Sequence, residues 1–421
     1  MKTIIKRCFY FTLGGENYAY LSTLISGLMA QLRRWVRLRP RFSKYHNITF
    51  KLISFSGNDK DIFFGYHDIT PFSQDNSKIL AMQTNNSPGS IASVGWFDIY
   101  DSEKKFSSIG QTQTWCWQQG CRLQWFPPES NSQIIYNKII DGKYGSELFD
   151  ISQNKIIRKL NSPIYALNSL GESALSLNFS RLQRLRPGYG YSILADKTID
   201  QKTPSTDGLW VIDLISGESE LLISLSELAL YKTNESMTAA EHYLNHLSYS
   251  PNGKRIIFFH LWRKGGTRYN RILSVDVDGE NLNLISEHTA SHVCWYSDDK
   301  IIGFTIDEDG NGIFRIFEIG ESGYTNIGSD DLNLDGHPMY SPQENKIVVD
   351  SYPDKISERE LSIIDLGQSL KINIAKFYSP PMLMGEKRCD LHPRWNRNGT
   401  AIAVDSAHEG KRGLFILDLN R

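Results

Sequence analysis

The chain is poor in the features that usually announce a function. Its five cysteines, Cys8, Cys116, Cys121, Cys294 and Cys389, are odd in number and scattered, without a CxxC pair. That argues against a cysteine zinc knuckle and a disulfide framework, and it suits a reducing compartment. Charge of one sign is missing too: the formal net charge is −1 over 421 residues, which gives nucleic acid no global attraction. The apolar run YAYLSTLISGLMAQ, 14 residues, is too short to span a bilayer. No secretory signal is read, because LGGEN interrupts the early apolar stretch and no small-residue cleavage site follows. No phosphate-cradling glycine loop and no serine nucleophile elbow stands out. Long amphipathic helical patterns are scarce after residue 45, apart from short pieces around 178–185 and 225–241.

What the chain does have is a first segment unlike the rest. Residues 1–50 hold nine Lys/Arg against one acid, Glu16. The expectation is a helical, basic extension over residues 1–48. It either packs on the main domain with a solvated basic end or lies as an amphipathic helix on an anionic membrane surface. The corresponding location is the cytoplasm, with peripheral contact to the inner membrane in the second case.

From about residue 50 the chain is a succession of short apolar runs with period-2 alternation, such as KILAMQTN, KRIIFFHLW and NKIVVDSYP. These read as half-buried antiparallel strands. They recur as a unit, in which a leading polar residue, an aromatic and a polar turn precede an apolar strand. The clearest copies are HLSYSPNGKRIIFF, HVCWYSDDKIIGFT, HPMYSPQENKIVVD and HPRWNRNGTAIAVD; weaker ones are RLQWFPPESNSQIIY and HDITPFSQDNSKILAM. Their leading residues are His67, Arg122, His246, His292, His337 and His392. The wide interval between Arg122 and His246 leaves room for a seventh copy, expected near LSLNFSRLQRL. Each unit also ends in a strand followed by aspartate, as in WVIDLISGE and FILDLNR. Seven such units predict an all-β, seven-bladed β-propeller over residues 49–421. A strand from residues 50–60, KLISFSG, is expected to close the last blade.

In a propeller, residues at one repeat position converge on the axis from different blades. His246, His292, His337 and His392 would then share one funnel, with Asp335, Asp390 and Asp68 beside three of the leading histidines. Imidazole nitrogen with carboxylate oxygen suits Mn²⁺ or Zn²⁺, so His292, His337, Asp390 and His392 are the candidate metal ligands. The other reading is a framework of hydrogen-bonding histidines copied from blade to blade. Around this funnel the sequence places cations and aromatics: Arg263, Arg268, Tyr269 and Arg271 near a Gly-Gly turn, and Arg186 with Tyr189 in SRLQRLRPGYGYS. Guanidinium forks bind carboxylates, which favours an anionic glycan over nucleic acid as partner. His67, Arg122, Arg186, Tyr189, Arg263 and Arg271 are the expected substrate contacts.

The segments LNHLSYSP, ASHVCWYSDDK, DGHPMYSPQ and DLHPRW resemble the oligogalacturonate lyases, best over residues 240–415. The first blade, FGYHDITPFSQD, also resembles proteins encoded with bacterial surface-polysaccharide genes. The lyase resemblance implies a seven-bladed propeller with a manganese ion held by histidines and a glutamine, and a separate histidine as base in β-elimination of a uronate. By motif position His246 matches the base, and His292 and His392 match metal ligands. Asp390 stands where that family has histidine, and Lys387 is the only residue near the place of its glutamine. In the implied reaction Arg268 or the metal neutralises the uronate carboxylate, neutral His246 takes the C5 proton, and Tyr269 or a water protonates the leaving oxygen. Two alternatives stay open: a glycosyltransferase or other enzyme of surface-polysaccharide assembly, and a non-catalytic propeller that binds glycan or protein.

Overall fold

The computed structural model describes residues 40–42, 49–55, 59–287, 290–307, 309–321, 323–327, 335–341 and 343–420. Their strands form seven antiparallel sheets, taken in chain order as blades of a β-propeller. Blade 1 spans residues 61–112, blade 2 124–160, blade 3 166–224, blade 4 241–287, blade 5 293–327 and blade 6 339–378. Blade 7 takes three strands from 394–420 and its fourth from Thr49–Phe55, paired Thr49↔Asn420 through Phe55↔Leu414. The expected closure therefore exists, and it ties the two ends of the propeller into one sheet with no open junction. The first strand of each blade is innermost; those of blades 3 and 4, 5 and 6, and 6 and 7 touch one another.

Three repeat positions explain why the unit recurs. The aromatic staples each blade to the one before it: the indole N–H groups of Trp125, Trp295 and Trp395 donate to Pro71 O (2.8 Å), Ser248 Oγ (3.1 Å) and Met339 O (3.1 Å). The aspartate after the third strand makes the hairpin turn, since Asp213 accepts from the backbone N–H groups of Ile215 and Ser216, and Asp365 from those of Gly367 and Gln368. A polar residue on the second strand holds the next blade's inner strand. Asn137 pairs with both backbone groups of Ile164, Asp350 accepts from His392 N–H, and Asp405 accepts from Phe64 and Gly65 N–H. Apolar side chains fill the layers between blades, in large clusters joining blades 3 and 4 and blades 7, 1 and 2.

The short helical pieces also appear. Helix α1, Phe179–Leu185, is capped by the Asn178 side chain, and α2, Leu225–Leu230, begins with a capping box of Ser224 and Glu227. The expectation of helix to 241 is corrected: after α2 comes a 3₁₀ turn, Glu235–Met237, and Glu241 already opens the inner strand of blade 4. The seventh repeat copy is corrected too. The copy lies in the expected interval but begins at Ile164, ahead of LSLNFSRLQRL, which holds the end of the second strand and α1. Isoleucine and Leu167 replace the histidine and the aromatic there, which erases the signal. Of the N-terminal extension, Arg41–Phe42 forms a short fifth strand on blade 6, with Arg41↔Lys376 and the Arg41 guanidinium on Glu358. The expected extension helix lies outside the described residues. Among those described, no helix is long and apolar enough to cross a membrane.

Candidate functional site

The residues leading the repeat meet on the axis. Arg122, His246 and His392 take left-handed backbone angles, φ 53°, 54° and 42°. Such a conformation costs a residue with a Cβ roughly 1–3 kcal/mol. At His246 it coincides with a bulge, where the pairing register slips between Asn245 and Ser248. Four imidazoles, those of His67, His292, His337 and His392, pack with ring centroids 4.0 to 6.4 Å apart. Each has its Nδ1 fixed by an oxygen: His67 by Pro338 O (2.7 Å), His292 by Asp335 (3.0 Å), His337 by Asp350 (2.8 Å) and His392 by Gly65 O (2.8 Å). A carbonyl oxygen can only accept, so His67 and His392 carry their proton on Nδ1 and present a bare Nε2 when neutral. Burial, above all, drives the pKa of His67, His292 and His392 below the ordinary histidine value.

Within this ring one group is arranged to take a cation. The ligating atoms of His337, Asp390 and His392 lie within 4.8 Å of one another, and all three residues are buried. The Nε2 atoms of His337 and His392 have no hydrogen-bond partner, an expensive arrangement unless something else meets them. Their other nitrogens rest on a carboxylate and a carbonyl, the outer-partner pattern that orients metal-binding histidines. This donor set of two imidazoles and a carboxylate fits Mn²⁺ or Zn²⁺. Asp390 also lies 2.8 Å from Arg359 and 2.5 Å from Arg388. Burial alone would raise its pKa; the two guanidiniums outweigh that and hold it at about 2. Three of the four candidate ligands are thus brought together. His292 packs on His337 but stands outside the triad, with its Nδ1 on Asp335.

His246 stands apart from this group, across Tyr66. The Tyr66 ring stacks on His246 (5.1 Å, 21°) and packs edge-on against His392 (4.8 Å) and His337 (5.7 Å). The protonation state of His246 follows from its neighbours. Asn245 Oδ1 accepts from Gln119 and Tyr165, so its Nδ2 is the atom facing His246 Nε2 at 3.2 Å. An amide N–H pointing there requires a lone pair on Nε2, which is the atom a base uses. Burial first, then the Arg186 charge, lowers the pKa of His246 and keeps it neutral.

On the side from which the inner strands reach the ring, cations and phenols gather. Arg186 lies over the Tyr189 ring at 4.1 Å, and Arg388 donates to the Tyr189 hydroxyl at 2.7 Å. Arg268 is exposed on a hairpin tip, where the Arg186 charge and then burial lower its pKa; Arg263 pairs across the hairpin from it. The Tyr189–Arg388 bridge joins the loop after α1 to the segment before Asp390 and roofs the histidines. On the other side a cavity of about 180 Å³ reaches His67, His246 and His292, and continues into a wider recess of about 600 Å³ beside Arg122 and Asp68.

Several expected contacts are corrected. Arg271 is not on the rim: it is fully buried, donating to His260 Nδ1 (3.1 Å) and to the carbonyls of Leu228, Tyr231 and Lys232. Replacing it by alanine is expected to destabilise the protein, by ~1–3 kcal/mol for each buried acceptor left unsatisfied, read from urea unfolding, because three carbonyls and an imidazole lose their donor. Arg122 is buried with its fork taken up by Asp68 (2.9 and 3.2 Å) and its Nε by Tyr165 O. His67 belongs to the packed ring rather than the rim. Tyr269 stacks on Trp262 (5.9 Å, 10°), whose own neighbours are His242 and His260 rather than the histidines that lead the repeat. The sequence reading missed Tyr66, Asp350 and Arg388. For Asp350 a signal existed, since NKIVVD and TAIAVD both end in the aspartate that holds the next blade.

No protein-family model matches the chain, and no curated protein matches it either. Solved structures do. An oligogalacturonate lyase in complex with manganese is 14% identical with a TM-score of 0.65, over 91% of this chain and 97% of its own. The oligogalacturonate lyase of Vibrio parahaemolyticus is 13% identical with a TM-score of 0.63, over 91% and 96%. The described chain therefore has the seven-bladed propeller fold of the oligogalacturonate lyases.

Proposed function

We propose that the protein is a lyase of acidic glycans, which breaks a uronate-containing chain by β-elimination with the help of a divalent ion. The observation that carries this reading is the placement of a neutral His246, with its lone pair on Nε2, one aromatic ring away from the buried His337–Asp390–His392 group. The likeness in fold to oligogalacturonate lyases supports it.

His337, His392 and Asp390 are the residues that would hold manganese or zinc, whose charge when bound offsets the negative charge developing on the uronate carboxylate. The chain's own residues do the rest. Arg186 and Arg268 attract the carboxylate into a space of low dielectric, where a guanidinium acts more strongly than in water. His246 Nε2 removes the C5 proton, a transfer worth ~10²–10⁴-fold. The Tyr189–Arg388 bridge has to open, and a substrate carboxylate is the natural competitor for Arg388. Tyr189→Phe is expected to lower KM by a few-fold without changing kcat, checked by steady-state kinetics.

The test of the reading is metal analysis of the purified protein together with absorbance from unsaturated uronate after incubation with oligogalacturonate, alginate and chondroitin. Bound metal with new absorbance supports it. Glycan binding without turnover sinks it and leaves a binding propeller.

A further inference from the structure

Tyr66 is placed between His246 and the His337–Asp390–His392 group, in ring contact with His246, His337 and His392. Buried tyrosines of this protein satisfy their hydroxyls: Tyr136 on Glu147, Tyr165 on Asn245, Tyr189 with Arg388, Tyr191 with Asn137 and Tyr249 with Ser173. That is the rule for buried phenols. Among the described residues Tyr66 and Tyr243 are exceptions, with buried hydroxyls that meet no partner. Tyr189 packs edge-on against the Tyr66 ring (6.2 Å) and carries Arg186 over its own ring (4.1 Å). Arg186 Nε is itself without a partner. A buried donor without a partner, on the ring that stacks against the candidate base, marks a place where an oxygen of a bound molecule would fit. The role of proton donor is also vacant, because Tyr269 lies against Trp262 instead.

We infer that Tyr66 is a catalytic residue, the acid that protonates the leaving oxygen in the proposed elimination. The inference rests on the lyase reading. His246 Nε2 takes the proton from C5, and the C–H electron pair becomes the C4–C5 double bond. The C4–O bond breaks with its pair on oxygen, and the Tyr66 O–H proton moves to that oxygen. The phenolate left behind regains a proton through solvent as the His246 imidazolium releases one. No redox partner is needed, and the products are an unsaturated uronate and a free hydroxyl.

The test compares wild type, Tyr66→Phe and His246→Ala on oligogalacturonate and on a uronate bearing a nitrophenyl leaving group at O4. Tyr66→Phe removes a hydroxyl that supports nothing in the fold, so its thermal midpoint is expected to match wild type. Its kcat on oligogalacturonate should fall ~10²–10⁴-fold with KM unchanged, the range for loss of a proton donor. On the nitrophenyl substrate, whose leaving group needs no proton, Tyr66→Phe should match wild type while His246→Ala stays slow on both. Equal turnover of oligogalacturonate by wild type and Tyr66→Phe overturns the assignment of Tyr66 alone. So does an equal loss on both substrates, which would make Tyr66 a packing residue. Wild-type protein that releases no unsaturated product overturns the lyase reading, and this inference with it.

Discussion

Alanine at His392 is expected to strip the divalent ion from the purified protein and to abolish measurable elimination. The reason is geometric. His392 Nε2 is buried and unpartnered beside His337 Nε2 and Asp390, so it has no other electrostatic role to fall back on. Loss of such a ligand should exceed the ~10–100-fold in metal affinity that loss of an outer partner costs. Asp350→Asn supplies that lesser case in the same site. Its carboxylate accepts from His337 Nδ1 (2.8 Å), His337 N (2.8 Å) and His392 N (3.1 Å), so it sets the orientation of both imidazoles without joining the group. The amide keeps one acceptor oxygen and turns a second donor toward a backbone N–H. A graded series in metal content, wild type above Asp350→Asn above His392→Ala, is the expected result by elemental analysis and calorimetric titration. A His392→Ala protein with the metal content of the parent would remove the site.

The architecture was legible because a propeller writes its structure into a repeat. The histidine, the aromatic and the terminal aspartate recur because each blade needs an axial residue, a staple to its neighbour and a hairpin turn. What stayed hidden were contacts between blades. Tyr66 meets His392 across more than half the chain and His246 from three blades away, and Arg388 meets Tyr189 from blades far apart in sequence. No local spacing encodes such pairs. Arg271 is the opposite case, where the pattern was present and misjudged. The Gly265–Gly266 turn, with φ 57° and 84°, fixes the hairpin register and sets His260 opposite Arg271. Counting back from that turn separates Arg263 and Arg268 at the exposed tip from Arg271, which lies three residues further in. An arginine opposite a histidine within an apolar strand reads as a buried pair, not a rim cation.

Acid is expected to unfold this protein over a window set by its buried histidines. His242 and His408, both almost wholly buried, have pKa values of about 4, and burial is the leading cause in each. His242 is further confined by a hydrogen-bonded line: Arg271 Nε donates to His260 Nδ1, His260 Nε2 meets His242 Nδ1 at 2.8 Å, and His242 Nε2 faces Met237 O at 3.1 Å. Because arginine can only donate and the carbonyl only accept, this line works when both imidazoles are neutral. His408 sits between Phe377 and Phe415, with ring centroids 5.3 and 4.6 Å away. The unfolded chain takes up these protons near the ordinary histidine value of ~6.5, while the folded chain resists until about 4. The unfolded state therefore binds more protons in between, so stability is full above ~6.5 and falls as pH drops through the window. Each histidine costs ~3 kcal/mol by pH 4, and the pair together rivals the ~5–15 kcal/mol by which a typical domain is stable. His67, His246, His260 and His392 are shifted in the same direction and deepen the loss. Urea midpoints measured from pH 7 to pH 4 should fall steeply below 6.5. His408→Leu should share the wild-type value near pH 7 to within ~1.5 kcal/mol yet lose ~3 kcal/mol less by pH 4. Parallel curves for the two proteins would show that His408 takes no part in the acid transition.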